Sequence, residues 1–456
     1  MRASHFVEVT FKKLIPAPFT LAVLLTFFTM LLAFFFTGNR NVTSAINILQ
    51  YWQNGMWNPA LLVFAVQMML ILVLGHVLVL SAPVSRLISW LTTGIRNNAG
   101  AVVIVAVSTM AVAFFNWGLG LIFGAIMARK VAEAAKERGF RINYPLIGAA
   151  GYVGLMVWHG GISGSAPLKA AESGHLKSLF SAAGNEQFMN QLPDHVSTDL
   201  TIFSSWNLLL FGSLLVIIPT VLFLISRFAG TSEVQLPSPN STEKTRLVKG
   251  AEKLDHSPGL RIIFGILLLS AFFASYSNNL LKVNLTPNML NFLMFSLCIL
   301  MHRSFASFLE ALEEAIVGAA AILIQFPLYF GIMGIMRETG MVNEIAFFFS
   351  NIATQNTLPV FTFFSAALVN LFVPSGGGQW AIQGPVVLES ALKLDVPLNK
   401  AIMAFAYGDQ VTNMLQPFWA LPLLAITSLK AREILPYTLI LMLTGSVIFI
   451  TALLIL

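Results

Sequence analysis

The chain has 456 residues, of which 57% are hydrophobic and only 10% charged, where a soluble domain carries roughly 25% charged residues. A soluble fold of that size cannot hide so much apolar surface, so lipid must cover the excess. The formal charge of +6 does not indicate nucleic acid, because the Lys and Arg lie mostly in loops beside apolar runs, and the single cysteine, Cys298, excludes a disulfide framework or a CxxC metal or redox motif.

Arg2, Lys12 and Lys13 precede an apolar run from Leu14 to Phe36. The run is too long for a signal peptide and no small-residue cleavage site follows, so it reads as a retained first span with the N-terminus cytoplasmic. Further spans are predicted near 59–82, 144–164, 202–226, 262–281, 288–301, 315–336, 401–427 and 434–456. Most approach the roughly 20 residues a bilayer requires; 288–301 is the shortest. Two apolar regions are interrupted: 101–128 by Asn116-Trp117-Gly118-Leu119-Gly120, and 358–392 by Pro374-Ser375-Gly376-Gly377-Gly378-Gln379.

Loop charge decides how to read the first interruption. Arg86 and Arg96 lie ahead of it, and Arg129, Lys130, Lys136, Arg138 and Arg141 lie behind. Both flanks are basic and so both belong in the cytoplasm, which a re-entrant hairpin allows and a full crossing does not. Arms of about 15 and 10 residues, roughly 22 and 15 Å, reach mid-membrane. The loop 227–261, with Arg227, Lys244, Arg246, Lys249, Lys253 and Arg261, then falls inside, as do Arg303, Lys430 and Arg432. Pro237, Ser238, Pro239, Asn240 and Ser241 make a polar linker within that loop. Arg40, Lys282 and Arg337 fall outside. Lys169, Lys177, Lys393 and Lys400 also land outside, against the bias. Both ends of 358–392 lie outside, so the second hairpin enters from the opposite face.

The order span, span, hairpin, span, span thus occurs twice. The expected fold is an all-α integral membrane protein with two inverted repeats, re-entrant hairpins and broken helices. The first repeat covers 1–227, a cytoplasmic linker 228–261, a linking span 262–287 and the second repeat 288–456. Such inverted repeats point to a secondary transporter whose substrate lies at the repeat interface.

Four irregular stretches punctuate the repeats. Two are the hairpin tips. The third runs from Trp158-His159-Gly160-Gly161 through Ile162, Ser163, Gly164, Ser165, Ala166 and Pro167. The fourth is Asp409-Gln410-Val411-Thr412-Asn413-Met414-Leu415-Gln416-Pro417. Non-helical backbone at membrane depth survives only where protein or water satisfies it, and helix N-termini beyond such turns favour an anion. Small residues also let membrane helices pack closely, but four such stretches at corresponding places favour a site. The substrate-binding candidates are Asn116, Gly118, Gly120, Ser163, Gly164, Ser165, Ser375, Gly376, Gly377, Gly378, Gln379, Gln383, Asn413 and Gln416.

Asp409 is the ion-coupling candidate, because a carboxylate within a span is costly and functional by default. It takes up a proton, holds a cation or merely caps an unwound helix; proton and sodium both stay open. His76 and His159 read as packing histidines rather than a proton relay. Gln325-Phe326-Pro327 marks a kink. Asn41-Val42-Thr43 and Asn240-Ser241-Thr242 match a glycosylation pattern by chance. No GxSxG, HExxH or GxxxxGK[ST] occurs, so neither an enzyme nor an ATP-driven pump is expected, and no cofactor.

Five runs resemble the bacterial short-chain fatty acid transporter family, within the ion transporter superfamily. They are Asn116-Trp117-Gly118-Leu119-Gly120, Gly160-Gly161-Ile162-Ser163-Gly164-Ser165-Ala166-Pro167 and Val373-Pro374-Ser375-Gly376-Gly377-Gly378-Gln379-Trp380, with Ile382-Gln383-Gly384-Pro385 and Gln416-Pro417-Phe418-Trp419-Ala420-Leu421-Pro422. The resemblance extends over essentially the whole chain and is less clear at 168–200 and 229–258. It implies uptake of short-chain fatty acids such as butyrate or acetoacetate across the bacterial inner membrane, and a homodimer whose transport domain moves as an elevator.

The expected function is therefore a secondary carrier in the lipid bilayer for a small carboxylate. The anion sits between the tips near Asn116 and Ser375, against Ser163 and Asp409, with a short acyl tail meeting Trp117, Trp380 or Phe418. A carrier for a dicarboxylate or amino acid and a passive anion channel are the alternatives.

Overall fold

The structure, a computed structural model, describes residues 16–37, 40–182, 186–233, 250–281 and 286–455. Arg2, Lys12, Lys13, the linker stretch from Pro237 to Ser241, Lys244, Arg246, Lys249 and Lys282 lie outside them. Among the described residues the regular structure is helical, joined by turns and loops, with one isolated backbone bridge between Ile142 and Ser232. Among the described residues six helices are long and apolar enough to cross a membrane, which makes this a multi-pass membrane protein.

The first half holds α1 (Pro18–Phe36), α2 (Val42–Met56), α3 (Pro59–Leu80), α4 (Ala82–Thr92), α5 (Asn98–Phe115), α6 (Trp117–Arg138), α7 (Tyr144–Tyr152), α8 (Ser165–Ala170), α9 (His175–Ala182) and α10 (Ser205–Phe228). The linking helix α11 runs over Pro258–Leu281. The second half holds α12 (Pro287–Met301), α13 (Phe305–Ile316), α14 (Ala320–Glu338), α15 (Met341–Asn351), α16 (Leu358–Asn370), α17 (Gly376–Lys393), α18 (Leu398–Val411), α19 (Pro417–Thr427) and α20 (Ala431–Ile455). Local chemistry starts many of these helices. Asn58, Asn97, Asn143, Ser204 and Thr286 each accept a backbone N–H of the following turn, and proline occupies the first turn of α1, α3, α7, α12 and α19.

The order of elements repeats from α1–α7 to α12–α18, and the repetition is fuller than the sequence suggests. Between the expected spans lie four further helices, α2, α4, α13 and α15. They are too short and too polar on one side to read as spans, which is why a rule based on apolar length passes over them. The short segment near 288–301 is a helix, α12, of 15 residues.

The halves interlock. Helices α1 and α2 pack on α14 of the other half, and α12 and α13 pack on α3. At the α2–α14 crossing, a Cβ added at Gly55 would lie 2.4 Å from the Phe330 carbonyl oxygen and 2.9 Å from the Gly334 Cα. Two glycine surfaces thus bring the helix backbones into contact, as small residues do in membranes.

Both interrupted regions turn back on themselves. In α5–α6, a Cβ at Gly120 would lie 2.4 Å from the Ala113 Cβ, and one at Gly124 would lie 2.7 Å from Thr109 Cγ2. The pairs 113/120 and 109/124 share a midpoint at the tip, the register of an antiparallel hairpin. The arms have 18 and 22 residues, about 27 and 33 Å, longer than expected. The second arm continues through its Ala-, Lys- and Glu-rich end, where helix propensity is high, until left-handed Gly139 at φ 70° stops it. In α16–α17 the arms are tied by side chains: Gln379 Nε2 donates to the Ala366 carbonyl at 2.8 Å and Gln383 Nε2 to Ser365 Oγ at 3.0 Å.

Candidate functional site

The two hairpins break in the same way. Asn116 (φ −151°) and Ser375 (φ −152°) are extended residues, and each side chain caps the arm that follows, accepting from Leu119 N at 2.9 Å and Gly378 N at 3.2 Å respectively. In each hairpin the capping residue immediately precedes the second arm, so each tip ends in a fresh helix N-terminus.

The irregular stretches after α7 and α18 meet at the centre of the molecule. Helix α7 passes into a tight turn at Val153–Met156, and α18 into one at Thr412–Leu415; these turns pack on each other. The Tyr152 hydroxyl lies 2.9 Å from the Asn413 carbonyl and 3.1 Å from that of Gln416. Asn370, at the end of the first arm of the second hairpin, donates to the Asp409 carbonyl (2.5 Å), Thr412 Oγ1 (2.9 Å) and Asn413 Oδ1 (2.9 Å). Gln416 Nε2 donates in turn to the Asn370 carbonyl. These side chains satisfy backbone that the unwound turns leave open, as membrane depth demands.

His159 and Asp409 come together here, 250 residues apart in sequence. His159 Nδ1 lies 2.5 Å from Asp409 Oδ2, with His159 fully buried and Asp409 1% exposed. His159 Nε2 accepts the Ala166 N–H at 3.0 Å, at the start of α8. The His159 and Gly160 N–H groups both donate to Gln410 Oε1, at 2.8 and 3.2 Å. His159 is buried with both ring nitrogens engaged, as a satisfied packing histidine is, and its ring bridges Asp409 and the N-terminus of α8. His76 packs in α3 and has no part in the pair.

The second hairpin tip lies against this pair. A Cβ added at Gly376 would stand 2.8 Å from His159 Cε1, 2.8 Å from Trp158 Cη2 and 3.2 Å from Asp409 Oδ2. Only a glycine brings the backbone so close. One at Gly377 would be 3.7 Å from Ser165 Oγ. The first hairpin tip instead docks on its own half. Trp117 N donates to Ser163 Oγ at 2.9 Å, Ile162 N donates to the Phe114 carbonyl at 2.7 Å, and a Cβ at Gly161 would meet that carbonyl at 2.3 Å. Gly118 sits beside Asn116 Oδ1, Gly120 lies where the arms touch, and Gly164 presses on the His159 carbonyl.

Aromatic rings adjoin the polar centre. Trp158 stacks on His159 with centroids 4.4 Å apart, Trp117 lies 6.0 Å from Trp158 and 5.3 Å from Trp419, and Phe418 stacks on Phe326 at 4.0 Å. Phe64 of α3 closes the group at 6.2 Å from Trp419. Trp117 and Phe418 thus belong to one aromatic wall, linked through Trp419. Trp380 does not. Its indole donates to His175 Nε2 at 3.2 Å and its ring packs on Phe405 in a separate core, so its expected contact with an acyl tail is corrected. Four buried polar atoms around the centre have no hydrogen-bond partner among the described residues: Trp158 Nε1, Asp409 Oδ1, Gln379 Oε1 and Gln416 Oε1.

Sequence reasoning missed three polar residues of this centre. Gln410 stands in the fourth irregular stretch, where its signal is masked by the adjacent Asp409. Asn370 is a lone amide in an apolar run, the one local signal it offers. Tyr152 offers none.

Residues 1–456 match the family described as short chain fatty acid transporter. Two relatives carry the name "Putative short-chain fatty acid transporter", one from Escherichia coli (strain K12) and one from Haemophilus influenzae (strain ATCC 51907 / DSM 11121 / KW20 / Rd). Each is 35% identical to this chain, with 99% of both sequences covered. Among solved structures, the YdaH transporter of Alcanivorax borkumensis aligns over 96% of this chain and 97% of its own, at 14% identity and a TM-score of 0.47.

Proposed function

The chain belongs to the short chain fatty acid transporter family, and we propose that it is a secondary carrier that takes up butyrate- or acetoacetate-type monocarboxylates. One observation carries the reading: the tip of one half's hairpin, at Gly376, rests on the unwound stretch of the other half, at His159. This contact joins the two halves where inverted-repeat carriers hold their substrate, at the repeat interface.

The site suits an amphiphile with one charge and a short tail. The N-terminus of α17 faces the centre at the second tip, and its N–H groups and positive dipole end favour a carboxylate. The buried Trp158 Nε1 is a further donor with no hydrogen-bond partner among the described residues. The aromatic wall of Trp117, Trp419 and Phe418 begins next to Trp158 and offers an apolar surface to the acyl chain. No buried Arg or Lys stands at this centre among the described residues, so a second carboxylate would lack a partner. The repeats are inverted across the bacterial inner membrane, with the N-terminus cytoplasmic, and the carrier works as a homodimer. A proton or sodium ion bound at Asp409 drives uptake.

Uptake of labelled butyrate, acetoacetate and succinate into reconstituted vesicles, with pH and sodium gradients varied separately, tests this reading. Saturable, counterflow-stimulated uptake of the first two is expected. Succinate preferred over butyrate would overturn the substrate class, and flux that neither saturates nor shows counterflow would make the protein a channel.

A further inference from the structure

The geometry points to one proton-binding site shared by His159 and Asp409, with its proton on Asp409 Oδ1, whose neutralisation admits the substrate anion to the second hairpin tip. The inference rests on the carrier reading for its last clause only.

The hydrogen-bond pattern assigns the tautomer. His159 Nε2 accepts the Ala166 N–H at 3.0 Å and so carries no hydrogen. A neutral imidazole then bears its hydrogen on Nδ1 and donates it to Asp409 Oδ2 across 2.5 Å. With Asp409 ionised, the pair carries one net negative charge at 0% and 1% exposure. Among the described residues His159 is the sole ion-pair partner of Asp409. A buried carboxylate lacking a cation is costly, and one proton removes the cost.

That proton has two conceivable places. On His159 Nε2 it would face the Ala166 N–H head on, and that bond would have to break before the ring became charged. On Asp409 it has an open position, because Oδ1 is buried and has no hydrogen-bond partner among the described residues. An O–H bond forms at Oδ1, the charge disappears, and nothing else moves. The titration belongs to the pair, since each group holds the other.

The other titratable side chains on the surrounding elements are already engaged or distant. Tyr152 is held on the Asn413 and Gln416 carbonyls, and the Tyr407 hydroxyl donates to Asn207 Oδ1 at 2.6 Å. Lys169 of α8 pairs with Glu172 in an exposed position, and Glu389 and Lys393 of α17 pair with each other toward the far end of that helix. Lys400 stands in the first turn of α18, at the opposite end from Asp409. His175 takes the Trp380 indole N–H.

Gly376 makes the pair a gate for the substrate. A carboxylate held on the N–H groups of α17 would lie close to Asp409, and two carboxylates in one site cannot both stay ionised. Protonating the pair removes the repulsion, and by reciprocity a bound anion strengthens proton binding. Proton and acid therefore enter together.

The test measures the apparent KM for butyrate by counterflow in sodium-free vesicles without gradients, across the widest pH range in which the protein stays folded. Protein-free vesicles correct for diffusion of the undissociated acid. The wild type should lose roughly tenfold in affinity per pH unit above the titration of the pair, as linkage to one proton requires, and Asp409→Asn should show no such slope. Infrared titration without substrate gives a second readout. A protonated-carboxyl band should disappear in Asp409→Asn and shift its midpoint in His159→Asn, which keeps an N–H donor near Asp409 but loses the acceptor for Ala166. A flat wild-type KM, a slope retained in Asp409→Asn, or accumulation that requires sodium would overturn the inference. So would the absence of an Asp409-dependent band, even if butyrate counterflow is robust. Absent counterflow with the band present would overturn the carrier reading and leave the proton site standing.

Discussion

The two hairpins share a bend and differ in nearly everything that surrounds it. Both use an extended, capping residue, Asn116 in one and Ser375 in the other. The first is a one-residue break zipped by small residues: Gly120 against Ala113, and Gly124 against both Thr109 and the Gly151 carbonyl. Its tip is bolted to Ile162 and Ser163 of its own half. The second has five residues between its arms, 371–375, and the arms are joined by the buried amides Gln379 and Gln383. Its tip reaches across to His159 and Trp158 of the other half. The same turn chemistry therefore serves one hairpin as fixed scaffold and the other as a contact surface.

Substitutions can break this contrast, beginning with the largest effect. Gly124→Ala places a Cβ 1.9 Å from the Gly151 carbonyl oxygen, where backbone must yield. Overpacking of this kind costs about 1–3 kcal/mol or more, and a marked fall in the thermal unfolding temperature in detergent is expected. Gly376→Ala should instead leave unfolding nearly unchanged while reducing butyrate counterflow at least about tenfold, since the displaced groups are the His159 ring and the Trp158 indole. Gly377→Ala, with its nearest neighbour at 3.7 Å, is the control for that change. Equal losses at 376 and 377 would show that the close contact at 376 is unimportant.

Trp419→Ala tests the aromatic wall. It should move preference toward longer acids by roughly fourfold per methylene, the value of about 0.8 kcal/mol for a buried CH2, in competition assays from acetate to hexanoate. The smallest effect is expected for Ser163→Ala, which removes the acceptor for Trp117 N. About 1 kcal/mol is expected, read as a drop of a few degrees in unfolding temperature.

Much of this architecture was legible because polar and glycine residues inside apolar runs are expensive. Asn116 and Ser375 marked both bends, and the basic flanks of 101–128 marked a hairpin. The reading failed where signals are weak or non-local. Helices α2, α4, α13 and α15 mix polar and apolar residues over 11 to 15 positions, too few and too mixed for a span rule. The His159–Asp409 pair links two stretches that were each flagged, yet nothing in either names the other as partner. Trp380 misled by proximity in sequence: it follows the glycine tip but sits one turn deeper, against Phe405.

The interlocking of α1 and α2 with α14 carries a consequence for biosynthesis. Helix α1 leaves the ribosome roughly 300 residues before the end of α14, the surface it rests on. At about 5–20 residues per second, the first helices wait roughly 15 to 60 s in the bilayer without their partner. During that interval the glycine face at Gly55 lacks Gly331 and Gly334, the surface it meets in the finished fold. Helices α1 and α2 therefore find their partner only after the first half and the linking helix have been made, by a lateral docking between segments translated far apart.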